Sequence, residues 1–277
     1  MFITTINRDV FNGGAANDIF DCDIGGGVDL LRGGAGQDRF FVGGNAQRGR
    51  IDGGIGTDSI IMRGHNNHTF ADGLIIAGIE NLFLSEPNFF GKASQLNGFT
   101  RIIPETDSME FGIFLQGQGG VLDLSTSYMS TKRLQVDASG AESRVVLTCS
   151  DRADDVFGSE FGDVIVGGRG KDLLDGGDGN DVFRYTAVNH SLRGASADII
   201  GNFDDGNDKI DLSALRGPVM VYRHSAAFTN TGQVRIQDVA GPDVVVQVNL
   251  TGNLTPEMEI RLSFEDLADL SRGDFIL

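Results

Sequence analysis

The chain has 277 residues, which suits one large domain or two small ones, and 40 of them are glycine whereas only 5 are proline. The formal charge of −17 at pH 7 argues against nucleic acid or an anionic membrane surface as a partner, because both would repel such a chain. No apolar run approaches the roughly eighteen residues of a membrane span, so none is predicted.

The first 61 residues contain four glycine-rich loops, each ending in an aspartate that is followed by apolar residues. They read GGAANDIFD, IGGGVDLLR, GGAGQDRFF and GGIGTDSII. Their acids are Asp18, Asp29, Asp38 and Asp58. The steps between these acids are eleven, nine and twenty residues, which indicates a register interrupted twice. In the intervening GGNAQRGRI, Arg48 takes the position expected for an acid.

Residues 62–148 lack such loops but keep short apolar segments that predict strands. These segments span 79–84, 112–116, 121–125, 133–137 and 144–148. The later ones are spaced by about ten to thirteen residues, which is typical of the coils of a β-solenoid. We interpret the region as a continuation of one solenoid; a separate inserted subdomain is the alternative.

Residues 149–185 repeat strictly in nines, as CSDRADDVF, GSEFGDVIV, GGRGKDLLD and GGDGNDVFR. The sixth position is always acidic, at Asp154, Asp163, Asp172 and Asp181. The eighth position is always apolar, at Val156, Ile165, Leu174 and Phe183. A flexible glycine linker would not fix these positions. Six loop residues followed by a short strand with an inward apolar side chain predict one half-turn of a solenoid.

The residue types of these loops predict bound calcium, which takes about six to eight hard oxygen ligands in adaptable geometry. Successive nonapeptides lie on opposite sides of the roll, so Asp154 should face the loop of Asp172, and Asp163 that of Asp181. Glycine lets the loop carbonyls turn toward the ion. Because its register is interrupted, the first block should bind fewer ions than the second. The predicted metal-binding positions are Asp18, Asp29, Gly34, Gly36, Asp38, Gly54, Gly56, Asp58, Asp154, Asp163, Gly168, Gly170, Asp172, Gly177, Gly179 and Asp181.

Residues 186–277 change to alternating apolar and polar positions, as in VVVQVNL and EIRLSF. This alternation predicts a cap over the open end of the roll, where unpaired strand edges would invite aggregation. The predicted fold is all-β: a right-handed parallel β-roll or β-solenoid with a C-terminal β-sandwich-like cap. Its segments are a degenerate calcium-repeat roll at 1–61, a metal-poor solenoid at 62–148, a calcium-binding roll at 149–185 and the cap at 186–277.

The repeats at 158–184 resemble those of the repeats-in-toxin (RTX) calcium-binding proteins. DIIGNFDDGNDKIDLSAL, together with the final GDFIL, resembles the C-terminal domain of serralysin-type proteins. The resemblance implies a calcium-binding parallel β-roll, an extracellular location and export by a type I (ABC transporter) system that reads an uncleaved C-terminal signal. The start, MFITTINRDVF, shows no cleavable signal peptide. The positions that match the export signal are Asp274, Phe275, Ile276 and Leu277.

Two functions stay open at this point. No HExxH, GxSxG or P-loop motif occurs, so no protease or other motif-defined enzyme is predicted. The first hypothesis is a secreted, non-enzymatic protein that folds on binding calcium and acts in adhesion, surface coating or carrying a partner, with a cell-surface or extracellular polymer as a candidate partner. The alternative is an extracellular polysaccharide-modifying enzyme using the middle segment. Its candidate residues there are Asp107, Asp123, Tyr128, Lys132, Arg133 and Asp137.

The cysteines and histidines offer weaker signals. Cys22 and Cys149 make no CxxC or zinc spacing, and they are predicted to be buried free thiols. His65 and His68, in GHNNHTF, are too few to define a metal site and are predicted to be solvated loop residues.

Overall fold

The computed structural model describes residues 1–4, 8–22, 28–43, 48–64, 68–70, 73–105, 110–215, 217, 219–239, 243–263 and 270–277, with residues 28 and 48 described by their main chain alone. The chain forms two compact units: Met1–Gly117 with Val121–Lys132, and Gln118–Gly120 with Arg133–Leu277. Short, mostly parallel strands build both units, so the prediction of an all-β parallel β-solenoid is confirmed. Within the described ranges, no helix is long and apolar enough to cross a membrane.

The first unit consists of short strands and one helical turn. Its strands pair in parallel sheets ordered β1-β3-β5-β7-β10-β12, β2-β4-β6-β9 and β8-β11-β13. The helical turn, α1 (Ala93–Leu96), follows β11, and β14 lies mainly in this unit. In chain order the strands are β1 (Phe2–Ile3), β2 (Val10–Gly14), β3 (Ile19–Asp21), β4 (Val28–Gly36), β5 (Arg39–Gly43), β6 (Arg48–Gly56), β7 (Ser59–Arg63), β8 (His68–Thr69), β9 (Leu74–Ala77), β10 (Asn81–Leu84), β11 (Asn88–Gly91), β12 (Arg101–Pro104), β13 (Phe111–Gly117) and β14 (Gly120–Asp123).

The core of this unit is a ladder of apolar side chains that stack from turn to turn. Phe20 pairs with Phe40 and Phe40 with Ile60, in steps of twenty residues. All three are fully buried, and the Phe20 and Phe40 rings stack with centroids 4.5 Å apart. Each such side chain contributes about 1.5–3 kcal/mol by burial, which offsets part of the entropy lost by the glycine-rich loops.

The twenty-residue turn corrects the sequence-based interpretation of the first block. Asp18, Asp38 and Asp58 are spaced by one whole turn, and Asp29 follows Asp9 by the same interval. The alternating steps of nine and eleven residues are therefore the two halves of a regular turn and not interruptions. The expected vacancy at Arg48 is also misplaced, because Asp29 pairs with Gly49. The side chain of Arg48 lies outside the described residues.

The second unit is a two-sided roll followed by its cap. Strands alternate between one sheet containing β15-β17-β19-β21 and another ordered β16-β18-β20-β22-β27. The strands are β15 (Leu134–Ala141), β16 (Val145–Thr148), β17 (Asp154–Phe157), β18 (Val164–Val166), β19 (Leu173–Asp175), β20 (Val182–Arg184), β21 (Asp198–Gly201), β22 (Lys209–Asp211), β23 (Val221–Tyr222), β24 (Gln233–Asp238), β25 (Asp243–Asn249), β26 (Met258–Ser263) and β27 (Phe275–Ile276). Three 3₁₀ turns are described, at Val188–His190, Gly194–Ser196 and Arg272–Asp274.

The apolar eighth positions of the nonapeptides form the core of this roll, as predicted. Val156 pairs with Leu174 on one side, and Ile165 pairs with Phe183 on the other. None of the four exposes more than 2% of its surface. The interval is eighteen residues, so each turn of this roll consists of two nonapeptides.

The cap extends both sheets of the roll. In one sheet β26 pairs in parallel with β21, and then β25 and β24 add antiparallel strands. In the other, β27 pairs in parallel with β22. Antiparallel strands replace the metal-loop turns here, which fits the change from glycine-aspartate loops to alternating sequence after residue 185. The predicted middle strands are also confirmed, as β10, β13, β14, β15 and β16.

Candidate metal centres

The repeat aspartates of the second unit form two hydrogen-bonded ladders. Asp172 Oδ1 accepts a bond of 2.9 Å from the main-chain N–H of Asp154, and Asp181 Oδ1 accepts one of 2.7 Å from that of Asp163. Loops eighteen residues apart therefore stack as predicted. One oxygen of each carboxylate accepts a hydrogen bond from the neighbouring loop, and the second oxygen faces the loop of the same aspartate.

Both ladders extend beyond the predicted residues. Asp198 accepts from the N–H of Asp172 at 3.0 Å, and Asp208 accepts from that of Asp181 at 2.9 Å. The intervals grow to 26 and 27 residues because longer loops intervene. The sequence carries the signal nonetheless: Asp-Ile-Ile and Asp-Lys-Ile repeat the order of acid, any residue and apolar residue.

The first unit carries the same device at its twenty-residue period. Asp38 accepts from the N–H of Asp18, and Asp58 accepts from that of Asp38, both at 2.7 Å. Glu80 ends this ladder by accepting from the N–H of Asp58 at 2.7 Å. On the other side, Asp29 accepts from the N–H of Asp9 at 2.9 Å. Asp9 and Glu80 were not predicted, because neither ends a glycine-rich loop.

Several of these carboxylates retain a buried oxygen that has no hydrogen-bond partner among the described residues. Buried polar atoms are normally paired, because an unpaired one costs about 1–3 kcal/mol, and more when it is charged. Such oxygens are ready ligands for a cation. The atoms concerned are Oδ2 of Asp29, Asp38, Asp58, Asp172 and Asp181.

Glycine shapes the space around these oxygens. A Cβ at Gly167 would collide with Asp172 Oδ2, and one at Gly176 would collide with Asp181 Oδ2. The glycine after each of these has positive φ, as has the one two residues further on, so loop carbonyls can turn inward. The eight predicted glycines all have positive φ: Gly34, Gly36, Gly54, Gly56, Gly168, Gly170, Gly177 and Gly179.

The donor set therefore fits calcium, because carboxylate oxygens without a partner in the described ranges lie close to main-chain carbonyl oxygens of the loops. A Cβ added at Gly33 would lie 2.1 Å from Asp38 Oδ2 and 2.4 Å from the carbonyl oxygen of Gly53. Among the described residues, no three His, Cys, Asp or Glu side chains form a metal-holding group. Main-chain carbonyls would thus complete the hard-oxygen ligand set that calcium requires.

Burial makes these acids hard to ionise without a cation. It raises the pKa of Asp181 to about 7, and burial with the nearby Asp198 carboxylate raises that of Asp172 to about 9. Burial also raises the pKa of Asp29 and Asp58. Ionising Asp181 in the fold costs on the order of 4 kcal/mol, which is comparable to the whole stability of many domains.

Asp154 and Asp163 differ from the other repeat acids, because serine occupies both of their oxygens. Ser150 donates its N–H to Asp154 Oδ2 at 2.8 Å, and Ser159 donates its N–H to Asp163 Oδ2 at 2.6 Å. Both serine hydroxyls also donate to the same carboxylates. Burial outweighs these bonds at Asp154 and raises its pKa to about 7.

The raised pKa values predict that acid stabilises the calcium-free protein. A carboxyl whose pKa is higher in the fold than its ordinary 3.8 adds stability that is complete below that value and lost as pH rises through about 7 for Asp181 and about 9 for Asp172. In calcium-stripped buffer, thermal unfolding followed by circular dichroism should give a higher melting temperature at about pH 5.5 than at about pH 8.

Saturating calcium provides the control for this pH series. Protons compete with the ion for the same oxygens, so the order of the two melting temperatures should reverse. A calcium-free protein that became more stable between the lower and the higher pH would contradict the assignment of these buried acids.

Other predicted positions lie apart from the loops. His68 is fully buried, not solvated: its Nε2 accepts from the N–H of Glu86 at 3.1 Å, so the prediction for this residue was wrong. His65 lies outside the described residues, as does Asp107. Cys22 and Cys149 are buried thiols without a disulfide bond in the described part of the chain, as predicted.

The fold and its loops define a calcium-binding β-roll protein of the RTX type. Residues 105–276 match the family described as "Peptidase M10 serralysin C terminal", and residues 23–46 match the "RTX calcium-binding nonapeptide repeat (4 copies)". The chain therefore belongs to the serralysin C-terminal family, and calcium is its cofactor. Both predicted resemblances are confirmed.

Two solved structures are similar to this chain. One is the solution structure of the AlgE6R2 subunit of the Azotobacter vinelandii mannuronan C5-epimerase, with 21% identity, a TM-score of 0.35, and coverage of 62% of this chain and 95% of that chain. The other is the AlgE6R3 subunit of the same enzyme, with 22% identity, a TM-score of 0.36, and coverage of 62% and 81%. No curated protein matches the chain.

Proposed function

We propose that this protein is secreted and folds fully only when it meets calcium outside the cell, where it acts as a binding or structural module at a surface. The observation that carries the proposal is the set of buried Asp oxygens in both units that have no hydrogen-bond partner in the described part of the chain. Without a cation, each of these oxygens destabilises the folded state that buries it.

The residues that would hold calcium are the open acids, meaning the aspartates with a buried oxygen that is unpartnered among the described residues, and the main-chain carbonyls of their loops. In the second unit these are Asp172 and Asp181 with the loops at 167–172 and 176–181. In the first unit they are Asp29, Asp38 and Asp58. Bound calcium supplies positive charge that neutralises these carboxylates and ligand bonds that join adjacent turns. Each unit offers several open acids, so the reason for expecting fewer ions in the first block no longer holds.

Low cytosolic calcium would keep the chain from completing its fold before export. Its net charge of −17 and its 40 glycines both favour an expanded state when no cation is bound. Calcium sites of extracellular modules bind in the range of about 10⁻⁴–10⁻³ M, so such sites stay empty inside a cell. We propose that the difference in calcium concentration between the cytosol and the exterior delays folding until after export. The division into four segments at 1–61, 62–148, 149–185 and 186–277 belongs to the same proposal.

The middle segment does not favour the alternative of a polysaccharide-modifying enzyme. Asp123 accepts bonds from the N–H and hydroxyl of Ser125, and Asp137 does the same with Ser139. Tyr128 is buried. Bonds from neighbouring serines thus account for both acids, and we propose the binding or structural module alone.

Export by a type I system predicts that the segment Asp274–Leu277 is read before folding. In the fold Asp274 is 2% exposed, and it accepts from the N–H groups of Ser271 and Gly206 at 2.7 and 3.0 Å. Phe275 is buried and pairs with Ile210. A transporter could bind these side chains only in the unfolded chain. Deleting 274–277 should therefore abolish secretion through a co-expressed type I transporter, as measured by immunoblotting of the medium.

A core variant separates signal loss from fold loss. Phe183→Ala removes a fully buried ring at about 3–5 kcal/mol but leaves residues 274–277 intact, so its chain should still reach the medium. Normal secretion of the deleted chain would refute the export assignment and leave these four residues a structural role.

A further inference from the structure

Ser150 and Ser159 occupy positions that are glycine in the two following repeats. They stand second in CSDRADDVF and GSEFGDVIV, where GGRGKDLLD and GGDGNDVFR have Gly168 and Gly177. Both serines are buried, with 3% and 2% exposure. Their side chains therefore belong to the interior of the loop, beside the carboxylate that would bind an ion.

Each serine completes the hydrogen bonding of its aspartate. Ser150 Oγ lies 2.9 and 2.8 Å from the two Asp154 oxygens, and Ser159 Oγ lies 3.0 and 2.9 Å from those of Asp163. The same hydroxyls accept from the N–H groups of Arg152 at 3.1 Å and Phe161 at 3.2 Å. The carboxylate, hydroxyl and loop main chain thus form a closed network.

The backbone gives a second, independent difference. Gly168 and Gly177 have φ values of 100° and 84°, whereas neither serine has positive φ. The serine loops therefore turn their main chain differently at this position. The first loop also has the buried side chain of Cys149 where the later loops have Gly158, Gly167 and Gly176.

We propose that Ser150 and Ser159 replace calcium in the first two loops of the repeat, so that these loops close without metal. This inference rests on the proposed function of the glycine loops. It assigns calcium ions to the loops of Asp172 and Asp181 and none to the loops of Asp154 and Asp163. Residues 149–163 then form a metal-independent template on which the calcium-dependent turns assemble.

Counting bound calcium in matched variants tests the assignment. Asp154→Asn and Asp172→Asn change stacked positions one turn apart, and both keep an oxygen that can accept the ladder bond. After dialysis of the full chain against calcium, metal analysis should find the full calcium content in Asp154→Asn and at least one ion fewer in Asp172→Asn. Equal losses would overturn the serine assignment. No loss in Asp172→Asn would instead contradict the calcium site of the proposed function.

Hydrogen exchange tests the template without any mutation. In chelator, peptides covering 149–163 should exchange at least about tenfold more slowly than peptides covering 167–181. Equal loss of protection in both segments would overturn the proposal. Full protection of both would contradict the calcium dependence of the roll itself.

Serine variants identify the groups responsible. Ser150→Ala with Ser159→Ala should speed exchange of 149–163 in chelator and leave the calcium content unchanged. Ser139→Ala is the matched control, because the exposed Ser139 makes similar bonds to Asp137 within β15. An effect of Ser139→Ala as large as that of the double variant would contradict a specific role for Ser150 and Ser159.

Discussion

Removing calcium should abolish most of the β-structure around the open acids. Asp172 and Asp181 each bury a carboxylate oxygen that has no partner among the residues that the structure describes. The cost, on the order of 4 kcal/mol at Asp181 alone, is a large part of the 5–15 kcal/mol by which domains are typically stable. About 1 kcal/mol shifts the melting temperature of a domain this size by roughly 2–4 °C. We therefore expect a fall of roughly 8–16 °C in chelator at neutral pH from Asp181 alone, to which the open oxygen of Asp172 adds.

Far-ultraviolet circular dichroism of the full chain measures this change. Adding excess calcium to the chelated sample should restore the signal, which separates folding from irreversible aggregation. Magnesium is the matched control, since it demands a small octahedral site and gives up its water reluctantly. A spectrum and melting temperature that ignore chelation would show that the buried acids are stabilised in some other way.

Asp172→Asn should change stability in opposite directions with and without calcium. The amide oxygen can still accept the bond from the N–H of Asp154, but the carboxyl group, which must take up a proton in order to be buried without calcium, is gone. Without calcium, loss of an acid whose pKa is raised to about 9 should raise the melting temperature at about pH 8. With calcium, loss of a charged ligand should lower it. Thermal unfolding under both conditions therefore gives two shifts of opposite sign.

Asp238→Asn is the control for this reversal. It removes the same charge from the exposed end of β24, which lies outside the ladders and the glycine loops. Its effect on the free energy of unfolding should stay within about 0.5 kcal/mol in both buffers. Shifts of the same sign for Asp172→Asn in both buffers would mean that position 172 holds no calcium.

The sequence predicted those parts of the fold that depend on nearby residues. Val156 and Phe183 were predicted to point inward because each strand follows its loop at a constant distance, and local spacing decides which face a side chain takes. The glycines were predicted for the same reason: positive φ at Gly168 is a local requirement of the turn. Buried thiols and the middle strands likewise followed from residue type and short-range pattern.

Long-range register was the part that local spacing could not give. A search for nine-residue repeats makes the first block look irregular. The parallel pairing of Phe20 with Phe40 shows instead that each turn there has twenty residues. Asp198 and Asp208 were missed because longer loops separate them from their partners. His68 was predicted to be solvated, yet it is buried against Glu86.

The difference between the serine loops and the glycine loops was not predicted, because the nonapeptide repeat is so regular. Asp154 and Asp163 occupy the acid position as faithfully as Asp172 and Asp181, so a position-by-position interpretation treats all four alike. The hydrogen bonds of Ser150 and Ser159 and the backbone φ at their position separate them. The second residue of each nonapeptide is thus as informative as its acid.

The alternation of nonapeptides between two sheets makes the whole turn the unit by which this roll can grow or shrink. Excising 163–180 would join Gly162 to Asp181, and every later strand would return to the sheet that it now occupies. Excising a single nonapeptide would send every later strand to the opposite sheet, so that β22 and β27 would leave the sheet of β16 and β18. Gain or loss of length by duplication or recombination should therefore occur in steps of eighteen residues, as in other linear repeat proteins whose modules contact only their neighbours.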